Sequence, residues 1–511
     1  MIPFDRHRKL IEHILIPLAI FCLALGLRLA LIGKGYYHSD NLFLGIQAQK
    51  MLATGTLHYL HLVGYPLTGL LGALFLKVGQ LAGMENPALS INGMSVIFGS
   101  LAVMVFYFAV KRMTDLLTAI LSAGLVMVHP VTLAASVYGN SHAPSLFFLF
   151  CGLALLLRYR DDRRRVTLSL AAVSAGLMAA ARPQNMIMLL PLSYVLFLES
   201  PRASSDIGLK PKAGRCLVFL LLTVGTCLFF FIPLLHPDQA AASSGWTLSS
   251  LWSQVAPNID LAPFPFISKS ILLSFTPLGM VLIVLGFIFL FRQNLRLLSL
   301  ILFLALPQWL FYGCFLTYVP RYTQATVMAL SILAAAYLTD LIKKKSFPSL
   351  VGILAYGLLI VALFAGIHDT LLFRHRHDLM RHYGLWFQAK TPPHAVIYCQ
   401  DDGTIIRHYA QRRTANMPLV KFAHRYYHSQ DNNRIASEVA SIHKMLANGI
   451  PVFVTRSALT SYDPRRLFLK ALREEFRLQT IDDCLMEDWH QGVLRTRLFR
   501  ERLYRIVPLS K

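Results

Sequence analysis

The stretch RYRDDRRRVTLSLAAVSAGLMAAARPQNMIMLLPLSYVLFL, residues 158–198, contains the pattern that decides the fold. A basic cluster is followed by an apolar run over 166–181, by Arg182 and a proline, and by a second apolar run over 184–198. Apolar runs approaching 20 residues are typical of helices that cross a lipid bilayer. Lysines and arginines collect in the short cytoplasmic loops of membrane proteins. The stretch therefore predicts two consecutive spans that are joined on the non-cytoplasmic side at Arg182.

The composition extends this pattern to most of the chain. Of the 511 residues, 55% are hydrophobic and 15% are charged, which is far more apolar than a soluble domain of this length. Basic cytoplasmic loops explain the formal charge of +23, so we expect no nucleic-acid partner. The HExxH, GxSxG and Walker A patterns do not occur, which argues against zinc hydrolases, serine hydrolases and nucleotide-driven pumps. We expect an α-helical polytopic membrane protein embedded in the lipid bilayer.

About eleven spans are predicted from the apolar runs. They fall near residues 12–33, 89–110, 117–137, 143–158, 166–181, 184–198, 216–235, 270–291, 297–317, 323–342 and 349–367. A twelfth apolar run, residues 59–81, contains four glycines, a proline and a lysine, which favour an interfacial or re-entrant helix. If this run crossed the membrane, five basic clusters would lie outside, against the positive-inside rule.

This topology places the basic N-terminus in the cytoplasm as a retained first span. The predicted membrane domain is 1–369, and its long outer loop, 34–88, carries the juxtamembrane helices. An odd number of crossings leaves residues 370–511 on the extracytoplasmic side.

The hydrophilic tail, residues 370–511, predicts a small α/β domain. Strand-length apolar runs at 395–399 and 451–455 alternate with helical patterns near 435–448 and 464–476. From residue 371 onward the tail has 23 lysines and arginines against 13 acidic residues, which favours acidic lipid headgroups or an anionic substrate. Two of its side chains, Cys399 and Cys484, could form a disulfide on the extracytoplasmic side.

Four charged residues in or near the predicted spans call for an explanation. Asp40 follows the first span in the sequence YYHSDN and is either a functional carboxylate or a helix N-cap. Arg182 and Arg321 lie at the outer ends of apolar spans, where positive charge is disfavoured. Their planar guanidinium groups suit a phosphate, and the alternative is that they extend to the lipid headgroups. For Arg28 in the first span we expect an internal structural partner.

These residues, in this order, resemble the C-type (GT-C) membrane glycosyltransferases of families 39 and 83. The specific resemblance is to bacterial relatives of protein O-mannosyltransferases and of lipid A aminoarabinose transferases. It rests on Asp40 after the first span, the juxtamembrane segment 42–52, the sequence YPL from Tyr65, and the pairs that begin at Arg182 and at Arg321. The tail also opens like that of the family, with TPPHAVIY at 391–398.

The resemblance implies sugar transfer from a polyprenyl-phosphate-linked donor to an envelope lipid, glycan or protein. The enzyme would be an inverting hexosyl- or pentosyltransferase in the bacterial inner membrane, with the tail in the periplasm. Asp40 would be the general base, and Arg182 and Arg321 would bind the donor phosphate. Further candidate substrate contacts are Asn41, Tyr65, His142 and Tyr322.

Two positions depart from the family pattern. Asn41 follows Asp40 where relatives often have a second acidic residue, and the second outer loop has His142 where many carry an aspartate. We therefore predict an enzyme without a metal or other cofactor. Two other functions remain open: a transporter or flippase of lipid-linked or anionic solutes, and an inactive relative that acts as a scaffold.

Overall fold

The structure is a computed structural model that divides into two compact units. It describes residues 10–37, 39–58, 64–198, 209–235, 263–316, 320–344, 348–399, 403–418, 420–422, 425–427, 432–460, 463, 466–487 and 498–509. The helical unit lies within Met1–Gly33 and Leu44–Phe373. The sheet unit lies within Lys34–Phe43, Arg374–Gly492 and Thr496–Lys511.

In the described part of the chain, sixteen α-helices lie between residues 16 and 376. They are α1 (Ile16–Ala30), α2 (Ser39–Thr54), α3 (Pro66–Leu81), α4 (Pro87–Met113), α5 (Leu116–Val128), α6 (Pro130–Ala135), α7 (His142–Asp162), α8 (Arg165–Ala181), α9 (Leu189–Phe197), α10 (Leu209–Phe231), α11 (Pro263–Ser274), α12 (Thr276–Gln293), α13 (Leu295–Phe311), α14 (Gln324–Lys343), α15 (Pro348–Ala365) and α16 (His368–Arg376). Shorter 3-10 or π-helical turns occur at Ile11–Leu15, Pro183–Met188, Ile232–Leu235, Tyr312–Leu316 and Pro320–Thr323.

The helices are those of a multi-pass membrane protein. Within the described residues, seven are long and apolar enough to cross a bilayer: Ile11–Ala30, Pro87–Met113, His142–Asp162, Pro211–Phe231, Thr276–Gln293, Leu295–Cys314 and Arg321–Lys343. Five shorter apolar helices accompany them: Pro66–Leu81, Leu116–Val128, Arg165–Ala181, Pro183–Phe197 and Ser349–Ala365. The membrane class is therefore confirmed, and the number of eleven crossings stays a prediction. Of the twelfth apolar run, 59–81, residues 59–63 lie outside the described residues.

Two of the predicted spans contain a break in their helices. The run 117–137 stops at Val128, because His129 is extended and its ring accepts a hydrogen bond from the backbone N–H of Val131 at 3.2 Å. The run 270–291 breaks at Thr276, which has a φ of 63°. A proline follows each break, and a residue before proline is disfavoured in the helical conformation.

Small residues let the helices of this unit pack closely. Ala171, Ala175 and Ala179 on α8 are completely buried. A Cβ atom placed on Gly286 of α12 would lie 2.0 Å from the backbone oxygen of Leu333 on α14. Such close backbone approach is the usual source of helix association in membranes, where lipid offers no hydrophobic driving force.

Arg28 has the internal partner that we expected. Its side chain is 1% exposed, and its Nε donates to the Ser136 hydroxyl at 2.8 Å. Its Nη1 donates to the carbonyl oxygen of Ala24 at 3.2 Å. The side chain therefore stabilises the packing of this unit.

The sheet unit confirms a small C-terminal α/β fold. Its strands are β1 (Val396–Cys399), β2 (Arg413–Asn416), β3 (Val420–Phe422), β4 (Arg425–Tyr427), β5 (Val452–Thr455), β6 (Phe476–Glu487) and β7 (Leu498–Pro508). Its helices are α17 (Leu379–Lys390), α18 (Gly403–Ile405), α19 (Asn432–Ala447), α20 (Arg456–Thr460) and α21 (Leu467–Glu475), with a π-helical turn at Ile406–Ala410. The strands and helices predicted at 395–399, 451–455, 435–448 and 464–476 are all present.

Five strands form one sheet in the order β2-β1-β5-β7-β6. β1 is parallel to β2 and β5, and β7 is antiparallel to β5 and β6. The long pair β6 and β7 is not predicted from sequence, because charged residues interrupt its apolar alternation. One of these charges is Asp483, whose carboxylate accepts two hydrogen bonds from the Arg502 guanidinium, at 2.6 and 3.1 Å.

The two cysteines of the tail, Cys399 and Cys484, are not bonded to each other. Cys399 lies on β1 and Cys484 on β6, with β5 and β7 between them. Three strand spacings amount to about 14 Å, which is beyond the reach of a disulfide. The pairing that the sequence left open is therefore excluded in this fold.

Candidate functional site

Arg182 is the centre of a polar site in the helical unit. It ends α8 with extended backbone, since Pro183 cannot continue the helix, and its side chain is only 6% exposed. The guanidinium Nη1 donates to the Ser141 hydroxyl at 2.9 Å, and Nε donates to the Tyr312 hydroxyl at 3.3 Å. In the described part of the chain, the hydrogen-bond partners of this buried cation are thus neutral hydroxyl groups.

The ring of Tyr322 lies beside both arginines. The guanidinium carbon of Arg182 is 4.8 Å from the ring centre, and that of Arg321 is 5.2 Å from it. Arg321 is 7% exposed and lies in the 3-10 turn Pro320–Thr323. The structure therefore brings the two predicted phosphate ligands to one aromatic ring, although 138 residues of sequence separate them. Each position is consistent with a cation–π contribution.

His142 belongs to the same aromatic cluster. Its ring stacks on Tyr322 with centres 5.0 Å apart, and Tyr322 stacks on Tyr312 with centres 5.1 Å apart. The backbone N–H of His142 donates to the side-chain oxygen of Asn140 at 2.8 Å, which fixes the start of α7. The candidate contact at His142 thus lies within this site.

Tyr65 completes the site with a strained backbone. It precedes Pro66 and has a φ of 145°, a value that residues with a side chain rarely adopt. Its hydroxyl accepts a hydrogen bond from the Gln184 amide nitrogen at 2.7 Å, and its ring centre is 5.9 Å from the Arg182 guanidinium carbon. The amide oxygen of Gln184 is buried without a hydrogen-bond partner among the described residues. That oxygen is available to a donor on a ligand.

Asp40 and Asn41 belong to the sheet unit, within Lys34–Phe43. Asp40 lies inside the first turn of α2, where the helix dipole favours a carboxylate, and not at the preceding N-cap position. Asn41 is completely buried, and its Oδ1 accepts a hydrogen bond from the backbone N–H of Tyr37 at 3.0 Å. Its Nδ2 is buried without a partner among the described residues. Asn41 therefore holds the turn that leads into α2.

Arg374 fixes the same turn. Its guanidinium carbon lies 3.7 Å from the centre of the Tyr37 ring, and its Nη2 donates to the Tyr37 hydroxyl at 2.5 Å. Its carbonyl oxygen accepts a hydrogen bond from the backbone N–H of Lys34 at 3.3 Å. The carboxyl of Asp378 lies against Gly35, where a Cβ atom would be 2.1 Å from its Cγ, and burial raises the pKa of Asp378. The turn before Asp40 is therefore packed against α16 and the residues that follow it.

Sequence reasoning found the charged members of the site and missed Tyr312, Gln184 and Ser141. Tyr312 is one aromatic residue among many in apolar spans. Gln184 and Ser141 are neutral side chains that no charge rule singles out. The only available signal was position, since Gln184 is two residues from Arg182 and Ser141 lies in a predicted outer loop.

The described residues contain no group of three or more His, Cys, Asp or Glu side chains that could hold a metal ion. In the first and second outer loops, the side-chain amides of Asn41 and Asn140 bond to backbone groups. Independence of metal ions stays a prediction.

The fold and the site together define a class: a multi-pass helical membrane protein with a C-terminal α/β domain and a buried site of arginine and aromatic side chains. Residues 66–233 match the family described as "Dolichyl-phosphate-mannose-protein mannosyltransferase". No curated protein matches the chain in sequence.

Three solved structures have a similar fold. ArnT from Cupriavidus metallidurans bound to undecaprenyl phosphate has 13% identity, with 96% of this chain and 97% of that chain covered at a TM-score of 0.56. The oligosaccharyltransferase of Archaeoglobus fulgidus in complex with zinc and sulfate has 12% identity, with 90% and 71% covered and a TM-score of 0.56. AglB from the same organism, in complex with an inhibitory peptide and a dolichol-phosphate, has 12% identity, with 94% and 74% covered and a TM-score of 0.55. The chain has their fold.

Proposed function

We propose that this protein is a membrane glycosyltransferase that moves a sugar from a polyprenyl-phosphate-linked donor to an acceptor on the extracytoplasmic face. The observation that carries the proposal is the Arg182 guanidinium, which is buried with neutral hydroxyls as its recorded hydrogen-bond partners. A buried cation is costly unless an anion compensates it. A phosphate would supply both the charge and the acceptor oxygens that the planar guanidinium matches.

The neighbouring groups suit a sugar phosphate. Arg321, whose guanidinium carbon is 5.2 Å from the centre of the Tyr322 ring, supplies a second cation. The unpaired oxygen of Gln184 can accept a hydrogen bond from a sugar hydroxyl. ArnT was solved with undecaprenyl phosphate and AglB with a dolichol-phosphate, so lipid phosphates bind to two proteins of similar fold.

The proposed reaction is a single displacement at the anomeric carbon. The acceptor hydroxyl attacks this carbon while Asp40 takes the hydroxyl proton, and the bond to the lipid phosphate oxygen breaks. The released phosphate keeps the electron pair of the broken bond, and Arg182 and Arg321 stabilise its charge. A single displacement inverts the anomeric configuration. No step uses a metal ion.

An anionic glycolipid is our proposed acceptor class. The tail from residue 371 has ten more basic than acidic residues. The sheet unit contains a cleft of about 530 Å³ that is lined by Lys390, His394 and Arg505 around apolar residues of β5 and β7. This positive cleft favours an acidic glycan or lipid over a neutral one. We place the protein in the bacterial inner membrane, with its N-terminus in the cytoplasm and the sheet unit in the periplasm.

The test is transfer by purified protein from a panel of radiolabelled polyprenyl-phosphate sugars to envelope extracts. We expect transfer by the unmodified protein, loss of transfer in Asp40→Asn with donor binding retained, and loss of donor binding in Arg321→Ala. Asp161→Asn, which changes an exposed carboxylate paired with Arg112 and Arg160, is the matched control and should remain active. Full activity of Asp40→Asn would remove its role as base, and a panel in which no donor is consumed would favour the transporter or scaffold.

A further inference from the structure

Two buried amides link the polypeptide segments that carry the arginines. The Gln308 amide nitrogen on α13 donates to the Asn185 side-chain oxygen at 3.0 Å. The Asn185 amide nitrogen donates to the Ser145 hydroxyl at 2.7 Å, and that hydroxyl donates to the carbonyl oxygen of Met178 at 3.0 Å. Asn185 and Gln308 are each 2% exposed, and Ser145 is completely buried. We call Ser145, Asn185 and Gln308 the amide relay.

One end of the amide relay fixes the backbone at Arg182. The N–H of Asn185 donates to the carbonyl oxygen of Arg182 at 2.9 Å, which closes the turn after α8. Asn185 therefore touches the Arg182 main chain through its backbone and Gln308 through its side chain. A shift of Asn185 would move the base of the Arg182 side chain with it.

The other end fixes the start of α14, directly after Arg321. The side-chain oxygen of Gln308 accepts a hydrogen bond from the backbone N–H of Ala325 at 2.9 Å. This N–H is one of the first-turn donors that a helix cannot satisfy by itself. The Gln324 amide nitrogen donates to the carbonyl oxygen of Arg321 at 2.9 Å, so the turn of Arg321 is tied to the same first helical turn.

We propose that Asn185 and Gln308 are positioning residues that set the spacing of Arg182 and Arg321 for one phosphate. The inference rests on the proposed function, because it assigns the relay to the phosphate site of that enzyme. Every polar group of the relay has a partner, and such a fully bonded network specifies one arrangement of the segments that it joins. Apolar contacts alone would allow α9, α13 and α14 to slide past one another, whereas the directional hydrogen bonds of the amide relay do not.

Gln308→Met is the test variant, since methionine has a similar shape and cannot make either hydrogen bond. We expect the dissociation constant for undecaprenyl phosphate to rise about tenfold, as expected when buried polar partners lose their bonds. The donor KM should rise with it, while the KM for the acceptor should not change. Thr118→Val is the matched control, because it removes a buried hydroxyl that bonds to Thr339 at 2.9 Å elsewhere in the helical unit.

A rescue variant separates positioning from stability. The double substitution Asn185→Gln with Gln308→Asn exchanges the two amide side chains. One position gains a methylene and the other loses one, so the combined length of the pair is unchanged. We expect it to recover lipid affinity to within about threefold of the unmodified protein. If Gln308→Met does not fold, Asn185→Ser is the second single variant, with the same expected loss of affinity.

Four results would contradict parts of this proposal. Unchanged lipid affinity in Gln308→Met, or an equal loss in Thr118→Val with an equal drop in melting temperature, would overturn the positioning role alone. The same holds if the double variant is no better than Gln308→Met. An unmodified protein that does not bind undecaprenyl phosphate would overturn the proposed function, and the positioning role with it.

Discussion

Asn41, next to the proposed base Asp40, has a structural role. Its oxygen bonds to the backbone N–H of Tyr37 and holds the turn that precedes Asp40. The position therefore serves the local backbone. A second acidic residue there would place a buried charge beside Asp40, and the two like charges would each raise the cost of the other.

We predict that Asn41→Leu destabilises the protein by about 1–3 kcal/mol, because the N–H of Tyr37 is left buried and unpaired. Transfer should fall further than this stability loss explains, since Asp40 is the next residue. Chemical unfolding and transfer rates measure the two effects. Asn294→Ala is the control, since it removes a similar bond from an asparagine to the N–H of Leu297 at the start of α13. It should cost stability without slowing transfer.

We also predict that Arg182→Lys weakens binding of the lipid phosphate by at least tenfold. A lysine keeps the charge but loses the planar fork and the stacking on Tyr322. Isothermal titration with undecaprenyl phosphate would show the loss. Arg158→Lys, at an exposed arginine paired with Asp162, should bind normally. Equal affinities for the two variants would mean that charge alone matters at position 182.

A charged residue next to an apolar run can be singled out from sequence alone, because placing its charge near lipid is energetically unfavourable. Arg182, Arg321 and Asp40 are charges next to apolar runs, so their positions alone mark them for explanation. Tyr312, Gln184 and Ser141 are uncharged, so no such rule singles them out. The strain at Tyr65 is a property of the folded backbone, and only the following proline hints at it.

Among the elements, Arg374 near the end of α16 contacts Tyr37 of the segment Lys34–Phe43. We predict that Arg374→Met lowers kcat several-fold and leaves the donor KM unchanged, because the turn before Asp40 loses its stacking and its hydrogen bond. Steady-state kinetics with saturating and limiting donor separate the two constants. Arg376→Met, two residues away at an exposed arginine, is the matched control. A rise in KM alone would assign Arg374 to donor binding instead.

Strand β7 carries a buried carboxylic acid, Glu501, which should make the stability of the fold depend on pH. The Oε1 of Glu501 accepts a hydrogen bond from the backbone N–H of Ser457 at 3.0 Å, while its Oε2 is buried without a partner among the described residues. Burial raises the pKa of Glu501. A raised pKa means that the folded state favours the protonated carboxyl, so this group stabilises the fold least when pH lies above its folded pKa.

Glu501→Gln should therefore stabilise the protein at pH 8 and have little effect near pH 4. Glutamine keeps the acceptor for Ser457 and removes the buried charge. Melting temperatures of the two proteins across this range give the answer. Glu475→Gln, at an exposed carboxylate 3.5 Å from His443, should show no such trend. A stability difference that grows as pH falls would contradict the assignment.

The predicted and missed elements differ for physical reasons. Strands β1 and β5 are fully buried and have short apolar runs, so their sequences alone indicate them. Strands β6 and β7 carry the ion pair of Asp483 and Arg502. Such charges make the alternation of apolar and polar residues difficult to recognise in the sequence. The breaks at His129 and Thr276 depend on prolines inside runs that remain apolar throughout.

For the whole molecule, the open question is the number of crossings. The run that includes α3 decides whether the two ends of the chain lie on the same side. Positive charge predicts opposite sides, since five basic clusters agree only if this run does not cross. The assignment of Lys34–Phe43 to the sheet unit is a long-range property that no local pattern predicts.

Single cysteines at two exposed positions, introduced into a protein without its native cysteines, test this topology. We predict that Gln411→Cys reacts with an impermeant maleimide in spheroplasts and that Lys344→Cys reacts only after the membrane is permeabilised. Opposite results would place the sheet unit in the cytoplasm. Reaction of both positions in intact spheroplasts would mean that the predicted span 349–367, which lies between them, does not cross, since a crossing by α3 would exchange the sides of both positions.

The central claim is that the buried arginine site binds a lipid phosphate, and native mass spectrometry of the purified protein tests it most directly. The account predicts an adduct with the mass of undecaprenyl phosphate on the unmodified protein and on Asp40→Asn. The adduct should be absent from Arg182→Gln. An adduct that persists in Arg182→Gln, or a protein that never carries one when the lipid is supplied, would contradict the claim.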